Sequence, residues 1–146
     1  MNREELKKLM PHREPMLLVD EAEAIQPDEA IGKYLVKGDE WFLQGHFPGN
    51  PVVPGVCLCE IMAQTCCVLL AEDEVGSTPV FTHLNKAKIL RMVKPGDELE
   101  IHCKIVKKRA NFRFAEGKAL VDGKVAAQAE FTFALIKQEQ NGSKEE

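Results

Sequence analysis

Gly45-His46-Phe47-Pro48-Gly49-Asn50-Pro51-Val52-Val53-Pro54-Gly55, followed without a break by Val56-Cys57-Leu58-Cys59-Glu60-Ile61-Met62-Ala63-Gln64-Thr65-Cys66-Cys67-Val68-Leu69-Leu70, decides how this chain folds. The first eleven of these residues hold three prolines and three glycines. Proline fixes φ and lacks a donor, and glycine admits left-handed backbone, so this density excludes regular helix or central strand. It predicts an ordered loop instead. In the run that follows, only Glu60, Gln64 and Thr65 are polar, which predicts one helix over 56–70 that is apolar almost all round. A helix without a polar face is buried.

Downstream, the pattern changes from helical to alternating. Residues 98–106 place Leu99, Ile101, Cys103 and Ile105 on one face and Glu98, Glu100, His102 and Lys104 on the other. Residues 111–121 begin with Phe112 and Phe114 facing alike and run into Asp122-Gly123, a type I′ hairpin signal. The return strand puts Val125, Ala127, Ala129, Phe131, Phe133 and Leu135 on one face. A strand over about 78–91 precedes this meander, joined to it through Pro95-Gly96-Asp97. Residues 71–74 read as an exposed acidic turn ended by Gly76, and 138–146 as a polar, frayed tail.

Upstream, Asn2 and Glu5 predict a capping box opening a short helix over 3–10, stopped by Pro11. Met16-Leu17-Leu18-Val19 predicts a short buried strand, and 30–37 a second, with a turn at Gln26-Pro27-Asp28 between them. The fold class expected is α+β: one long antiparallel sheet covered by a single central helix, within one domain over 1–137. A helix apolar all round, against a sheet that covers part of it, further predicts burial by another subunit.

Composition narrows the function classes. The chain has 146 residues, 45% hydrophobic and 29% charged, as expected of one globular domain. No apolar run approaches the ~20 residues that span a bilayer, and the charged N-terminus lacks a secretory h-region, so a cytoplasmic location is expected. The five cysteines, Cys57, Cys59, Cys66, Cys67 and Cys103, have no zinc-ligand spacing and read as small buried hydrophobes. No metal is expected. The net charge of −4 conceals an asymmetry: residues 1–85 hold 6 basic and 14 acidic side chains, and residues 86–118 hold 10 and 4. The basic stretch can attract an acidic partner. With aromatics at 6% and no binding motif, nucleic acid is not expected.

The loop and helix carry the chemistry. Glu60 and Gln64 lie at i and i+4 and share one helical face. A carboxyl buried among apolar groups holds its proton at neutral pH and can serve as a general acid. His46, in a loop stiffened by prolines, is suited to act as a base near pH 7. The Gly55 N–H, at the helix start, can face a carbonyl oxygen that gains negative charge. A base, an acid and an oxyanion donor are the parts of a β-elimination from a thioester.

At these residues the chain resembles a known family. Leu9-Met10-Pro11-His12-Arg13-Glu14-Pro15-Met16-Leu17-Leu18-Val19-Asp20, the loop from Gly45 to Val56, and Glu60-Ile61-Met62-Ala63-Gln64 are similar to the 3-hydroxyacyl-(acyl-carrier-protein) dehydratases of bacterial fatty-acid synthesis, FabZ type. Lys94-Pro95-Gly96-Asp97 and Val121-Asp122-Gly123-Lys124-Val125-Ala126-Ala127 extend the likeness. The resemblance implies the hot-dog fold, a curved antiparallel sheet wrapped around one central helix. It implies homodimers, commonly a trimer of dimers, in which His46 of one subunit faces Glu60 of the other. His46 is then the base, Glu60 the acid, Gly55 the thioester carbonyl contact, and Gln64 a residue orienting Glu60 or a water.

No cofactor is implied, because the acyl chain arrives on the phosphopantetheine arm of acyl carrier protein. Lys86, Lys88, Arg91, Lys94, Lys107, Lys108 and Arg109 become candidates for docking that carrier. Dehydratase-isomerases of the related family carry Asp at the helix position, so Glu60 favours simple dehydration. The segments Cys57-Leu58-Cys59, Thr65-Cys66-Cys67 and Lys86-Ala87-Lys88-Ile89-Leu90-Arg91-Met92 depart from the family pattern and leave acyl length open. A bifunctional dehydratase/isomerase giving the cis-3-enoyl product, a hot-dog acyl thioesterase and a non-catalytic carrier-binding subunit are the rival readings.

Overall fold

The computed structural model describes residues 1–70 and 77–137; the acidic turn expected at 71–74 and the polar tail expected at 138–146 lie outside them. In chain order the elements are α1 (Arg3–Leu6), β1 (Glu21–Gln26), β2 (Glu29–Leu35), α2 (Gly55–Leu70), β3 (Ser77–Ile89), β4 (Glu98–Arg109), β5 (Phe112–Val121) and β6 (Lys124–Lys137). The strands form one antiparallel sheet in the order β1-β2-β4-β5-β6-β3. The sheet curls around α2, which touches all six strands.

Alternation fixes the register of the central strands. In β4, Leu99, Ile101, Cys103 and Ile105 are buried and their neighbours face water, as their period-2 pattern requires. Asp122 and Gly123 have φ of 52° and 78°, the two left-handed residues of a type I′ turn. In β5 the face that turns inward is Arg113, Ala115, Gly117 and Ala119, so Phe112 and Phe114 share a face directed away from the core. Small residues face α2 where it comes closest. A Cβ at Gly32 would lie 2.8 Å from Thr65 Cγ2, and one at Gly117 would lie 3.3 Å from Met62 Cβ.

The N-terminal segment differs from the sequence expectation. The capping box of Asn2 and Glu5 is present, but α1 ends at Leu6 and residues 7–9 form a turn. Met16-Leu17-Leu18-Val19 is not a strand. Leu17, Leu18 and Val19 are buried as irregular chain over α2, because the helix supplies the partners that a sheet would otherwise provide. The expected strand at 30–37 is β2, and the turn at Pro27-Asp28 precedes it.

This segment also changes the argument for a second subunit. Together with the sheet it buries α2 from Ile61 to Leu70 on every side within one chain. Only the first turns are open: Val56 is 76% exposed, and Cys57 and Glu60 are partly exposed. The helix interior therefore does not require a partner. Among the described helices none is long and apolar enough to cross a membrane.

Candidate active site

The loop before α2 is held by its own backbone. The His46 N–H donates to the Leu43 carbonyl at 3.1 Å, and the Val52 N–H donates to the His46 carbonyl at 2.8 Å. Phe47 and Asn50 exchange two bonds across a tight turn, in which Gly49 takes a φ of 73°. The His46–Phe47 peptide is cis, and the two rings stack at 4.2 Å. The Val53 N–H then donates to the Val93 carbonyl at 2.8 Å, fastening the loop to the segment after β3.

That framework decides which imidazole nitrogen can work as a base. His46 Nδ1 lies 2.9 Å from the Val52 carbonyl oxygen. A carbonyl only accepts, so Nδ1 carries the proton and Nε2 keeps its lone pair. The ring is half-buried, and its free nitrogen can take a proton from a bound molecule.

On α2, Gly55 is the first residue, and its N–H precedes the first intrahelical bonds. A Cβ there would come within 3.0 Å of Ile89 Cγ1, so any larger residue would press against β3. One turn further, Glu60 Oε2 accepts from Gln64 Nε2 at 2.9 Å. Gln64 is buried, and its amide is used completely. Its Oε1 accepts from the Leu18 N–H at 2.7 Å, and Nε2 also donates to the Met16 carbonyl at 2.7 Å. The rigid amide thus fixes the Glu60 carboxylate and leaves Oε1 without a hydrogen bond among the described residues.

Glu60 is not buried in one chain, contrary to expectation. Its side chain is 30% exposed, because it stands on the open part of α2. A neighbour to which the sequence reading gave no role is His12, whose Nε2 lies 3.6 Å from Glu60 Oε2. Burial pushes the His12 imidazole below its usual value, opposed by the Glu60 charge and aided by Arg13. No periodicity marks His12; its only signal is its place in the Leu9–Asp20 stretch that resembles the family.

Among the described residues no hydrogen bond or ion pair joins His46 to Glu60 within the chain. The cysteines are free thiols, and four of the five are buried. Among the described residues no group of three or more His, Cys, Asp or Glu could hold a metal ion.

The seven basic candidates do not form one patch. Lys88 pairs with Gln128, which pairs with Lys118, whereas Lys107 pairs with Phe114. The two groups are offset by four residues along β5, about 13 Å, and by three strand spacings, about 14 Å. Lys86 reaches Glu130 at 3.8 Å on the β3 side, and Lys108 reaches Asp28 at 3.7 Å on the other. Arg109 ends β4 beside Lys107, while Arg91 and Lys94 lie beyond β3, where the Arg91 N–H meets the Ala126 carbonyl.

A family model described as a FabA-like domain matches residues 10–130. The chain is 40% identical over 137 residues to the 3-hydroxyacyl-(acyl-carrier-protein) dehydratase FabZ of Clostridium perfringens (strain SM101 / Type A), covering 92% of this chain and 99% of that one. It is 43% identical over 134 residues to the FabZ of Ligilactobacillus salivarius (strain UCC118), covering 90% and 96%. Among solved structures, the dehydratase heterocomplex ApeI:P from Xenorhabdus doucetiae superposes with a TM-score of 0.66 at 20% identity, over 80% of this chain and 96% of that one. A phenylacetic acid degradation-related protein from Ralstonia eutropha JMP134 gives 0.64 at 21%, over 78% and 83%. At such identities these two speak for the hot-dog fold alone.

Proposed function

This chain belongs to the FabA-like family, and from that premise we propose that His46 and Glu60 are the base and acid of its reaction. The reaction is the dehydration of 3-hydroxyacyl-acyl-carrier-protein to the trans-2-enoyl thioester, a step of fatty-acid biosynthesis. The enzyme is a hydro-lyase. His46 Nε2 removes a proton from the carbon next to the thioester carbonyl, and the Gly55 N–H faces the oxygen on which charge collects. Glu60 Oε1 gives its proton to the hydroxyl at the next carbon. The C–O bond breaks, the C=C bond forms, and water leaves.

One observation carries this reading: the Val52 carbonyl fixes His46 in the tautomer that leaves Nε2 basic. Gln64 complements it by turning one oxygen of Glu60 outward. The test is a product assay with a 3-hydroxyacyl carrier thioester. The enoyl product should form, and His46→Ala and Glu60→Ala should each lose about 10²–10⁴-fold in turnover. Free carrier thiol in place of the enoyl product would identify a thioesterase, and a cis-3-enoyl product an isomerase.

The partners follow from what one chain leaves open. We assign acyl carrier protein as the substrate carrier and a second copy as the partner that brings its His46 to this chain's Glu60. The absence of any bond between the two residues in one chain supports that arrangement. So does β3, an edge strand on which no residue is buried. Assembly of three such dimers, a cytoplasmic location and a domain ending at 137 belong to the same proposal. No cofactor enters the reaction: His46 and Glu60 move the protons, and the electron pair of the broken C–H bond becomes the C=C bond as the hydroxyl leaves as water. Of the basic residues, Lys86, Lys88, Arg91 and Lys94 lie along the part of the chain that passes Gly55, and they are favoured as the carrier's dock.

A further inference from the structure

We propose that Glu40, held by the buried phenol of Tyr34, is the positioning residue that keeps His46 on the Val52 carbonyl, an inference that rests on His46 being the base. Glu40 opens the short 3-10 helix Trp41–Leu43, which leads into the His46 loop. An acid in that place ordinarily caps the turn that follows it, yet the Glu40 side chain makes no such bond. It reaches back instead. Its Oε2 accepts from the Tyr34 hydroxyl at 2.7 Å and from the Lys37 N–H at 2.9 Å, and its Oε1 accepts from the Gly38 N–H at 2.8 Å. Tyr34 stands on β2 and is 2% exposed, so the anchor belongs to the core. Burial works against the Glu40 charge, and these donors outweigh it, holding the carboxyl below its usual value.

From that anchor two main-chain bonds lead to the base. The Leu43 N–H donates to the Glu40 carbonyl at 3.1 Å, and the Leu43 carbonyl accepts from the His46 N–H at 3.1 Å. Phe42 and Leu43 are buried, which pins the turn between those bonds. A second support reaches the same histidine from the other side. The Val52–Val53 peptide offers its carbonyl to His46 Nδ1 at 2.9 Å, while its N–H is held by the Val93 carbonyl at 2.8 Å. The two supports join just beyond β2. There the Val36 N–H donates to the Asp97 carbonyl at 3.0 Å and the Gly96 N–H to the Val36 carbonyl at 2.8 Å, next to the Lys37 and Gly38 donors that hold Glu40. One support places the acceptor, and the other places the ring that must meet it. Misplacing a reacting group by about 1 Å can cost about 100-fold in rate. A ring that drifts from the Val52 carbonyl also loses the bond that sets its tautomer, and Nε2 then carries the proton for part of the time. Removal of the Glu40 side chain leaves the Val93 support in place, so the loop stays folded while the ring loses its alignment.

The test measures kcat, KM and the His46 tautomer in Glu40→Ala, Glu40→Gln and Tyr34→Phe. Glu40→Ala should lose at least about tenfold in kcat with KM within about twofold, because Gly55 and the carrier's dock are untouched. Glu40→Gln keeps one oxygen for Tyr34 and Lys37 but turns an amide N–H toward the Gly38 N–H, so it should stand between Glu40→Ala and wild type. Tyr34→Phe removes the phenol alone and should show a smaller loss of the same kind. In solid-state 15N spectra of histidine-labelled enzyme at alkaline pH, assigned with His46→Ala, wild-type His46 should carry its proton on Nδ1. In Glu40→Ala that signal should move toward the form protonated on Nε2, whereas partial unfolding would weaken it without moving it. A His46 signal that keeps its wild-type shift in Glu40→Ala, or an unchanged kcat there, overturns the inference while leaving His46 as the base. Full turnover in His46→Ala overturns the base assignment and the role of Glu40 with it.

Discussion

The two edges of the sheet are built to opposite plans. β1 is six residues long, presents Glu21, Glu23 and Gln26 to water, and carries a register shift near its end. The N-terminus lies against it: the Ala22 N–H donates to the Met1 carbonyl at 3.1 Å, and Arg3 Nε reaches Asp20 at 3.0 Å. β3 is thirteen residues long, with no buried residue and with Val80, Leu84 and Ile89 between 42% and 49% exposed. The apolar exposure continues through Leu90 at 55% and Met92 at 67%. Short, charged and covered strands resist pairing, whereas a long apolar edge invites it. The open edge is the one that meets Gly55 through Ile89. The unfinished side of the molecule is therefore the side on which the proposed carbonyl contact, Gly55, lies.

The sharpest way to break this comparison is to ask whether a site needs two chains. His46→Ala and Glu60→Gln enzymes, each inactive, should regain activity when unfolded and refolded together. Random pairing makes half of the dimers mixed, each with one intact site, so about a quarter of wild-type activity should return. Continued inactivity of the mixture would place both residues in one subunit.

A smaller effect separates the edges themselves. Leu84→Lys with Ile89→Lys on β3 should reduce the assembly to single chains in sedimentation equilibrium, with most of the activity lost. Ala24→Lys on β1 should change neither mass nor turnover. Equal effects at the two edges would erase the distinction.

The smallest effect lies in the brace behind β1. The Lys7 ammonium, together with Arg3, holds the Glu14 carboxyl down to about 2 from its usual 4.5. A carboxylate lowered in the folded state stabilises it above pH 4.5 and loses that contribution as pH falls toward 2. Glu14 is exposed, so thermal melts at pH 5 and pH 3 should differ only slightly less in Glu14→Gln than in wild type.

Much of this was legible in the chain. The all-apolar run gave α2 to within one residue, alternation gave β4 and β6, and Asp122-Gly123 gave the hairpin between β5 and β6. Met16-Leu17-Leu18-Val19 was not, because a short apolar run looks the same whether a sheet or a helix buries it. The orientation of Phe112 and Phe114 was hidden too, since a strand's parity is set by the partner it joins and not by its own residues. At the site, Glu60 and Gln64 follow from helical spacing, but His12 is 48 positions away from Glu60 and meets it only through tertiary folding. The basic run looked like one feature in sequence because it is contiguous there, and the sheet divides it.

The Gln64 amide has one further consequence. Gln64 grips the backbone at Met16 and Leu18 with the same amide that holds the Glu60 carboxylate. A substitution anywhere among the first twenty residues that displaces this strand of main chain by about half an ångström will misalign Glu60. Such a variant would melt normally, bind its carrier normally and fail at turnover. Inheritable damage to this enzyme can therefore sit far from its chemistry and escape any screen based on stability.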